Sequence, residues 1–142
     1  MPIDSDAQLA VVVEDDDELR AMIRELLETV GFVTVGCPDG GEGIDAVRTL
    51  HPSVVTLDLH MPGMDGVEVL DRLSSDERTA RVPVVIVSAY SSDRRLRSRK
   101  QVKAIIQKPF DVDVLCRTVR KAAASLEPPE ERDGVLLGGP IR

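Results

Sequence analysis

Five polar residues with complementary chemistry stand at the ends of short apolar runs in this chain. They are Glu14 and Asp15 after LAVVV, Asp58 after VVTL, Ser88 after VVIV, and Lys108 shortly after AII. Carboxylates brought close together repel one another unless a cation offsets their charge, and hard oxygen ligands suit Mg²⁺. A hydroxyl and an ammonium beside one carboxylate match the needs of a transferring phosphoryl group, whose charge is spread over its oxygens. The set favours phosphoryl transfer at a divalent-metal site, with Asp58 as the nucleophile.

The stretch from Val54 to Gly66, VVTLDLHMPGMDG, predicts how Asp58 is presented. Its first four residues are apolar or β-branched without alternation, which is typical of a strand covered on both faces. The run stops at Asp58, and a loop rich in Pro, Gly and Asp follows. We therefore expect a carboxylate that is displayed at the mouth of a loop rather than buried.

Apolar patterning predicts five strands that alternate with five helices. The predicted strands are Leu9 to Val13, Phe32 to Val35, Val54 to Leu57, Val84 to Val87, and Ala104 to Ile106. The first predicted helix carries the apolar stripe Leu19, Met22, Ile23, Leu26, Leu27 and Val30, with Gly31 as its C-terminal cap. In the second, Asp39 and Glu42 resemble a capping box before Ile44, Val47 and Leu50. The third carries Val67, Leu70 and Leu73, the fourth spans Ser91 to Lys100, and the fifth is capped by Asp111 and carries the stripe Val112, Leu115, Cys116, Val119 and Leu126.

This alternation predicts an α/β fold, a doubly wound five-stranded parallel sheet in the order 2-1-3-4-5, that is, a flavodoxin-like (βα)5 architecture. Ligands of such sheets bind beyond the carboxyl ends of the strands, where the strand order reverses between strands 1 and 3. Neighbouring strands lie roughly 4.8 Å apart, so Glu14, Asp15 and Asp58 are expected to converge. Ser88 and Lys108 would flank Asp58 from the other side.

Length, charge and cysteine content narrow the class of protein. The 142 residues suit one domain over residues 1–126, followed by a tail or linker rich in Pro, Gly and acid over residues 127–142. The net charge of −7 argues against direct binding to nucleic acid or membranes, and no long apolar segment predicts membrane insertion or secretion. Two distant cysteines without metal-ligand spacing favour reduced thiols in a cytoplasmic protein.

The segments VVVEDD, TLDLHMPGMDG, VIVSA and QKPF together resemble the receiver domain of two-component response regulators, of the chemotaxis-regulator type, over about residues 7–126. That resemblance implies a phosphorylation-dependent conformational switch, a phosphoryl acceptor rather than a turnover enzyme. Its partners would be a histidine kinase or a histidine phosphotransfer protein, together with an output partner that the sequence does not identify.

The resemblance also assigns roles to individual residues. It implies that Asp58 accepts the phosphoryl group from a phosphohistidine. Glu14, Asp15, Asp58 and the backbone carbonyl of His60 would hold Mg²⁺. Ser88 and Lys108 would bind the phosphoryl oxygens, and the peptide bond between Lys108 and Pro109 would be cis.

Two features bear on how the switch would be read by a partner. Ser88 and Ile105 occupy the switch positions, and many receivers carry Tyr or Phe where Ile105 stands, so the usual aromatic readout is absent. The basic segment Arg94 to Lys100 crowds the predicted fourth helix around Leu96. Its cations form either a solvated face or a docking surface for an acidic partner.

Three other functions compete with the switch. A receiver-like interaction module that is never phosphorylated is compatible with Ile105 but disfavoured by Asp58, Ser88 and Lys108. A phosphohydrolase that resembles the haloacid dehalogenases would have a second Asp two residues after the nucleophile, in a DxD motif. Here Asp58 is followed by Leu59 and His60, so the second Asp is missing. A flavodoxin is disfavoured because no phosphate-binding loop follows the first strand.

Overall fold

A parallel β-sheet with strand order β2-β1-β3-β4-β5 forms the centre of the protein, as predicted. The computed structural model describes residues 7–89, 96 and 98–126. The strands are β1 (Leu9–Val13), β2 (Val33–Cys37), β3 (Val54–Leu57), β4 (Val84–Ser88) and β5 (Val102–Gln107). The helices of the described residues are α1 (Asp17–Thr29), α2 (Gly40–Leu50), α3 (Gly66–Ser74) and α4 (Val112–Ala124).

The central strands are apolar on both faces because helices cover both sides of the sheet. Alternate side chains of β1, β3 and β4 enter two separate cores. Val11, Val55 and Ile86 pack on the side of α2 and α3, whereas Val12 and Val85 pack on the side of α1 and α4. All residues of β3 are buried, as the run of apolar and β-branched residues predicted.

An aspartate caps the N-terminus of each described helix. Asp16 accepts a hydrogen bond from Leu19 N, Asp39 from Glu42 N, Asp65 from Glu68 N, and Asp111 from Asp113 N and Val114 N. Such caps satisfy backbone donors that the first helical turn leaves unpaired. The capping roles predicted for Asp39 and Asp111 are confirmed.

Several sequence-based boundaries and stripes are wrong in detail. β2 begins at Val33 and runs to Cys37, because it pairs with β1 along that strand's full length. Met22 and Val112 belong to the predicted apolar stripes, but they are 42% and 45% exposed. Leu126 lies beyond the end of α4, which is followed by Ser125 as its cap.

The predicted helix over Ser91 to Lys100 falls largely outside the described residues. Leu96 is helical and fully buried, as expected for its apolar anchor. Ser98 and Lys100 lie in turns and Arg99 has no regular structure, so the helix does not reach Lys100. Residues 127–142 also lie outside the described part, and the domain boundary at 126 stays a prediction. None of the described helices is long and apolar enough to cross a membrane.

Candidate functional site

The carboxyl ends of β1 and β3 hold the acidic residues at fixed positions. Val13 is paired with Leu57 in the parallel ladder. The hydrogen bonding continues one residue further, since Asp58 N donates to Val13 O at 3.1 Å and Glu14 N donates to Cys37 O at 3.0 Å. The backbones of Glu14 and Asp58 are therefore extensions of the sheet rather than parts of a free loop.

Three carboxylates meet at this edge, as the sequence predicted. Glu14, Asp15 and Asp58 each offer a carboxylate oxygen, and these atoms lie within 4.8 Å of one another. Glu14 is 2% exposed and Asp58 is 5% exposed, whereas Asp15 is exposed. Anionic oxygens this close repel one another unless a cation lies between them, and hard oxygen ligands suit a divalent cation such as Mg²⁺. The exposed Asp15 would bind such an ion from the solvent side.

The prediction that Asp58 is displayed rather than buried is wrong. The loop after β3 folds back over the strand end, with Gly66 N donating to Leu59 O at 2.9 Å. Leu59 and Met61 are buried in the core on the side of α2 and α3. A Cβ atom on Gly66 would lie 2.7 Å from Asp58 O, so glycine permits this close approach. The loop packing leaves Asp58 5% exposed.

Lys108 brings a positive charge to the acidic cluster. Its Nζ donates to Glu14 Oε1 at 2.9 Å and lies 3.6 Å from Asp58 Oδ2. Its backbone N donates to Ser88 O at 2.8 Å, and the Lys108–Pro109 bond is cis, as the resemblance implied. Burial raises the pKa of Glu14 above its ordinary value, and the hydrogen bond from Lys108 opposes that rise.

Ser88 ends β4, the strand next to β3, and His60 lies two residues beyond Asp58. Ser88 is fully buried at the end of β4, and because Leu57 pairs with Ile86, it stands one residue beyond the level of Asp58. His60 is exposed, and its backbone N donates to Asp58 Oδ1 at 3.3 Å. The two Asp58 oxygens thus have different neighbours, a backbone amide at Oδ1 and the Lys108 ammonium near Oδ2.

Arg20 is a neighbour of the site that sequence reasoning missed. Its Nη1 donates to the backbone carbonyl of Glu14 at 2.9 Å, and its Nη2 pairs with Asp17 at 2.6 Å. Arg20 therefore holds the backbone of Glu14 against α1. No sequence signal identified it, because one arginine on an amphipathic helix is an ordinary surface residue.

Comparison with known proteins agrees with the geometry. The family model of the response regulator receiver domain matches residues 10–120. The chain belongs to this family. The receiver is 31% identical over 113 residues to sporulation initiation phosphotransferase F of Bacillus subtilis, covering 78% of this chain and 90% of that protein.

A second relative shares the receiver over a smaller part of its length. A protein-glutamate methylesterase/protein-glutamine glutaminase of Natronomonas pharaonis is 44% identical over 85 residues, which are 59% of this chain and 23% of the relative. The receiver thus spans about a quarter of that protein.

A solved structure resembles this receiver in its fold. The receiver domain of a sensor histidine kinase from Pseudomonas aeruginosa has a TM-score of 0.74 and 21% identity, covering 84% of this chain and 99% of that one. That neighbouring structure has a magnesium ion coordinated in its active-site cleft. The two proteins therefore have the same fold.

Ile105 takes an inward position on β5 of this receiver. It is paired with Ile86 and packs, half-buried, against the core on the side of α2 and α3, which also contains Leu96. Its side chain has no hydroxyl group and no aromatic ring, so Ile105 itself can contact its neighbours only through aliphatic packing.

The predicted basic segment is described only at its end. Arg94, Arg95 and Arg97 lie outside the described residues. Arg99 Nη2 pairs with Asp71 Oδ1 of α3 at 2.7 Å. Its guanidinium is therefore committed within the fold, which is neither of the two roles expected for it. Lys100 is exposed, as both expectations require.

Proposed function

We propose that this receiver accepts a phosphoryl group on Asp58 and acts as a phosphorylation-dependent conformational switch in two-component signal transduction. The convergence of Glu14, Asp15 and Asp58 around the Lys108 ammonium is the observation that carries the proposal. Repulsion between these carboxylates destabilises the fold. Such a cluster is typical of a functional site, here one that would bind a cation and a transferring phosphoryl group.

Transfer from a phosphohistidine would be a single displacement at phosphorus. A carboxylate oxygen of Asp58 attacks, the new O–P bond forms as the N–P bond breaks, and the donor imidazole leaves and takes up a proton from solvent. Lys108, 3.6 Å from Asp58 Oδ2, is placed to offset negative charge on the phosphoryl oxygens. We assign the buried hydroxyl of Ser88 to the same oxygens.

We assign the metal site to Glu14, Asp15, Asp58 and the backbone carbonyl of His60. The three side chains supply hard anionic oxygens within 4.8 Å of one another, a donor set that suits Mg²⁺. When bound, the ion would neutralise charge that builds up on the phosphoryl group. The magnesium in the receiver from Pseudomonas aeruginosa supports this assignment.

The proposed partners are a histidine kinase or a histidine phosphotransfer protein, and an output partner that reads the loaded state. The receiver would assist its own phosphorylation and dephosphorylation without turning over a separate substrate. We place it in the cytoplasm, which agrees with free Cys37 and Cys116. We assign the contact with the output partner to the basic segment Arg94 to Lys100. Arg99 is the exception, because its guanidinium pairs with Asp71.

Intact-mass spectrometry after incubation with Mg²⁺ and acetyl phosphate tests the proposal. We expect the wild type to gain one phosphoryl group and Asp58→Asn to gain none. Asp45→Asn is the matched control, because Asp45 is an acid on α2 whose side chain is 76% exposed. No mass gain with any phosphodonor would favour an unphosphorylated interaction module, and steady phosphate release from unrelated monoesters would favour a phosphohydrolase.

A further inference from the structure

Arg20 reaches from α1 across β2 to the end of β1. Its guanidinium Nη1 donates to the backbone carbonyl of Glu14 at 2.9 Å. The aliphatic part of its side chain passes over Gly36, where an added Cβ atom would lie 3.1 Å from Arg20 Cδ and 3.3 Å from Arg20 Cγ. Gly36 is paired with Val12, one residue before β1 ends. The missing side chain at Gly36 therefore leaves room for the path that Arg20 takes to Glu14.

The hydrogen bond from Arg20 fixes one peptide group of the acidic site. The carbonyl of Glu14 and the amide of Asp15 belong to the same rigid peptide plane. Before this plane, Glu14 N donates to Cys37 O at 3.0 Å. After it, Asp16 N donates to Glu14 Oε2 at 3.1 Å. Because Asp15 is exposed, the restraint on this plane sets the direction in which its side chain leaves the backbone.

The positive charge of Arg20 acts in the opposite sense to its hydrogen bond. A cation close to a divalent-metal site lowers the affinity for the ion by repulsion. Asp17 pairs with Arg20 Nη2 at 2.6 Å and offsets part of this charge, although the Asp17 side chain is 86% exposed. Removing the cation alone should raise the affinity for Mg²⁺, whereas losing the hydrogen bond to Glu14 should lower it. The sign of the change therefore distinguishes the two effects.

We propose that Arg20 is a positioning residue of the metal site, which holds the peptide between Glu14 and Asp15 so that both acids suit a small octahedral cation. This inference rests on the proposed function, in which Glu14, Asp15 and Asp58 bind Mg²⁺. Their carboxylate oxygens lie within 4.8 Å of one another. Mg²⁺ requires near-ideal octahedral geometry, whereas Ca²⁺ accepts flexible arrangements of oxygen ligands. A poorly held Asp15 should therefore weaken Mg²⁺ binding more than Ca²⁺ binding.

Calorimetric titrations of the full chain with Mg²⁺ and with Ca²⁺ test this role. Arg20→Met keeps an aliphatic stem over Gly36 and removes the guanidinium, so most of the packing is retained. We expect the variant to lose roughly tenfold in affinity for Mg²⁺ and less than about threefold in affinity for Ca²⁺. Urea unfolding in metal-free buffer measures whether the variant is folded at the start of each titration.

Arg24 provides the matched control. It lies one turn further along α1, and its side chain also packs over Gly36, where an added Cβ atom would lie 2.9 Å from Arg24 Cδ. Its Nε donates to Thr34 Oγ1 at 3.1 Å, on β2 rather than at the acidic site. Arg24→Met removes a cation and a hydrogen bond from the same helix, and it should leave the affinities for both ions unchanged.

Three results would overturn the proposal. An affinity for Mg²⁺ that is unchanged or higher in Arg20→Met would show that the hydrogen bond to Glu14 does not position the acids. Equal losses for Mg²⁺ and Ca²⁺, or the same losses in Arg24→Met, would indicate a general effect on α1. A wild-type protein that binds no Mg²⁺ would contradict the metal site itself. The titrations need no phosphodonor, so their outcome is independent of whether Asp58 accepts a phosphoryl group.

Discussion

Lys108 Nζ donates a 2.9 Å hydrogen bond to Glu14 Oε1, joining residues 94 positions apart in sequence. The same ammonium lies 3.6 Å from Asp58 Oδ2. One cation thus serves two nearly buried carboxylates that approach each other at the strand ends. A phosphoryl group on Asp58 would compete with Glu14 for that cation, so loading the site would redistribute a contact that links β1 to the end of β5.

Replacing Lys108 by Ala should destabilise the metal-free protein most strongly at neutral pH. Glu14 and Asp58 would then share a buried region without a cation, at a cost of roughly 3 kcal/mol. The pKa of Glu14, which burial already raises, would rise further without the hydrogen bond from Lys108, so the folded state would bind a proton that the unfolded state does not, and stability would recover as the pH falls. Urea unfolding at about pH 7.5 and about pH 5.5 in a chelating buffer measures both effects.

The exposed Lys121 provides the control for this prediction. Lys121→Ala removes a cation from the last turn of α4 and should change the free energy of unfolding by less than about 0.5 kcal/mol at either pH. The claim that Lys108 offsets the charges of Glu14 and Asp58 would be wrong if both variants lost the same free energy of unfolding. It would also be wrong if the loss in Lys108→Ala were as large at the lower pH as at the higher.

Mg²⁺ binding should weaken as the pH falls, and Glu14 should be part of the reason. Because burial raises the pKa of Glu14, a proton competes with the ion over a range where an ordinary glutamate is already ionised. Glu14→Gln should lower the Mg²⁺ affinity roughly tenfold and flatten its dependence on pH. Calorimetric Mg²⁺ titrations at two pH values test this, with Glu25→Gln, at an exposed glutamate of α1, as the unaffected control.

Gly66 should tolerate no side chain, although it begins an ordinary helix. In Gly66→Ala the added Cβ would lie 2.7 Å from both Asp58 O and Leu59 Cα, so the loop over the site must shift. We expect a loss of about 2 kcal/mol in the free energy of unfolding. Gly41→Ala in the first turn of α2, where the nearest heavy atom is 3.5 Å away, should be neutral or stabilising by up to about 1 kcal/mol. Denaturant unfolding measures both variants. A similar loss in the free energy of unfolding at both positions would show that the backbone of Asp58 and Leu59 is not what excludes a side chain at Gly66.

Cys37 should be chemically inert in the folded protein. Burial, together with Glu42 and Asp39, raises the pKa of its thiol to about 11. Between about pH 9 and pH 11 the unfolded chain loses a thiol proton that the folded chain keeps, so stability should fall by up to about 1.4 kcal/mol per pH unit. Cys37→Ala should reduce that slope.

A thiol-reactive dye provides a second readout for Cys37. Cys37 is 3% exposed, and we expect it to react with the dye only after urea unfolds the chain. Rapid labelling of Cys37 in native buffer, identified by peptide mass, would show that the strand end is more open than its burial indicates.

The strand order and the convergence of the site followed from sequence because they rest on short-range patterns. The apolar runs before Glu14, Asp58 and Ser88 mark strand ends, and right-handed crossovers bring those ends to one edge of the sheet. The aspartate caps at Asp39 and Asp111 were equally local, since each cap depends on residues within the next helical turn.

The features that escaped prediction depend on long-range packing. The burial of Asp58 is decided by Leu59 and Met61 folding back over the strand end, which no residue periodicity encodes. The pair between Arg99 and Asp71 depends on the path of the chain before β5. In both cases the residue types were visible in the sequence, but their partners were set by tertiary contacts.

Residue-level mapping of the phosphoryl group tests the central claim most directly. After incubation with Mg²⁺ and acetyl phosphate, borohydride reduction converts an aspartyl phosphate to homoserine, which tandem mass spectrometry can locate. We predict homoserine at position 58 in the wild type and none when Mg²⁺ is chelated. Homoserine at another aspartate such as Asp15, or no conversion in fully folded protein with Mg²⁺ present, would contradict this claim.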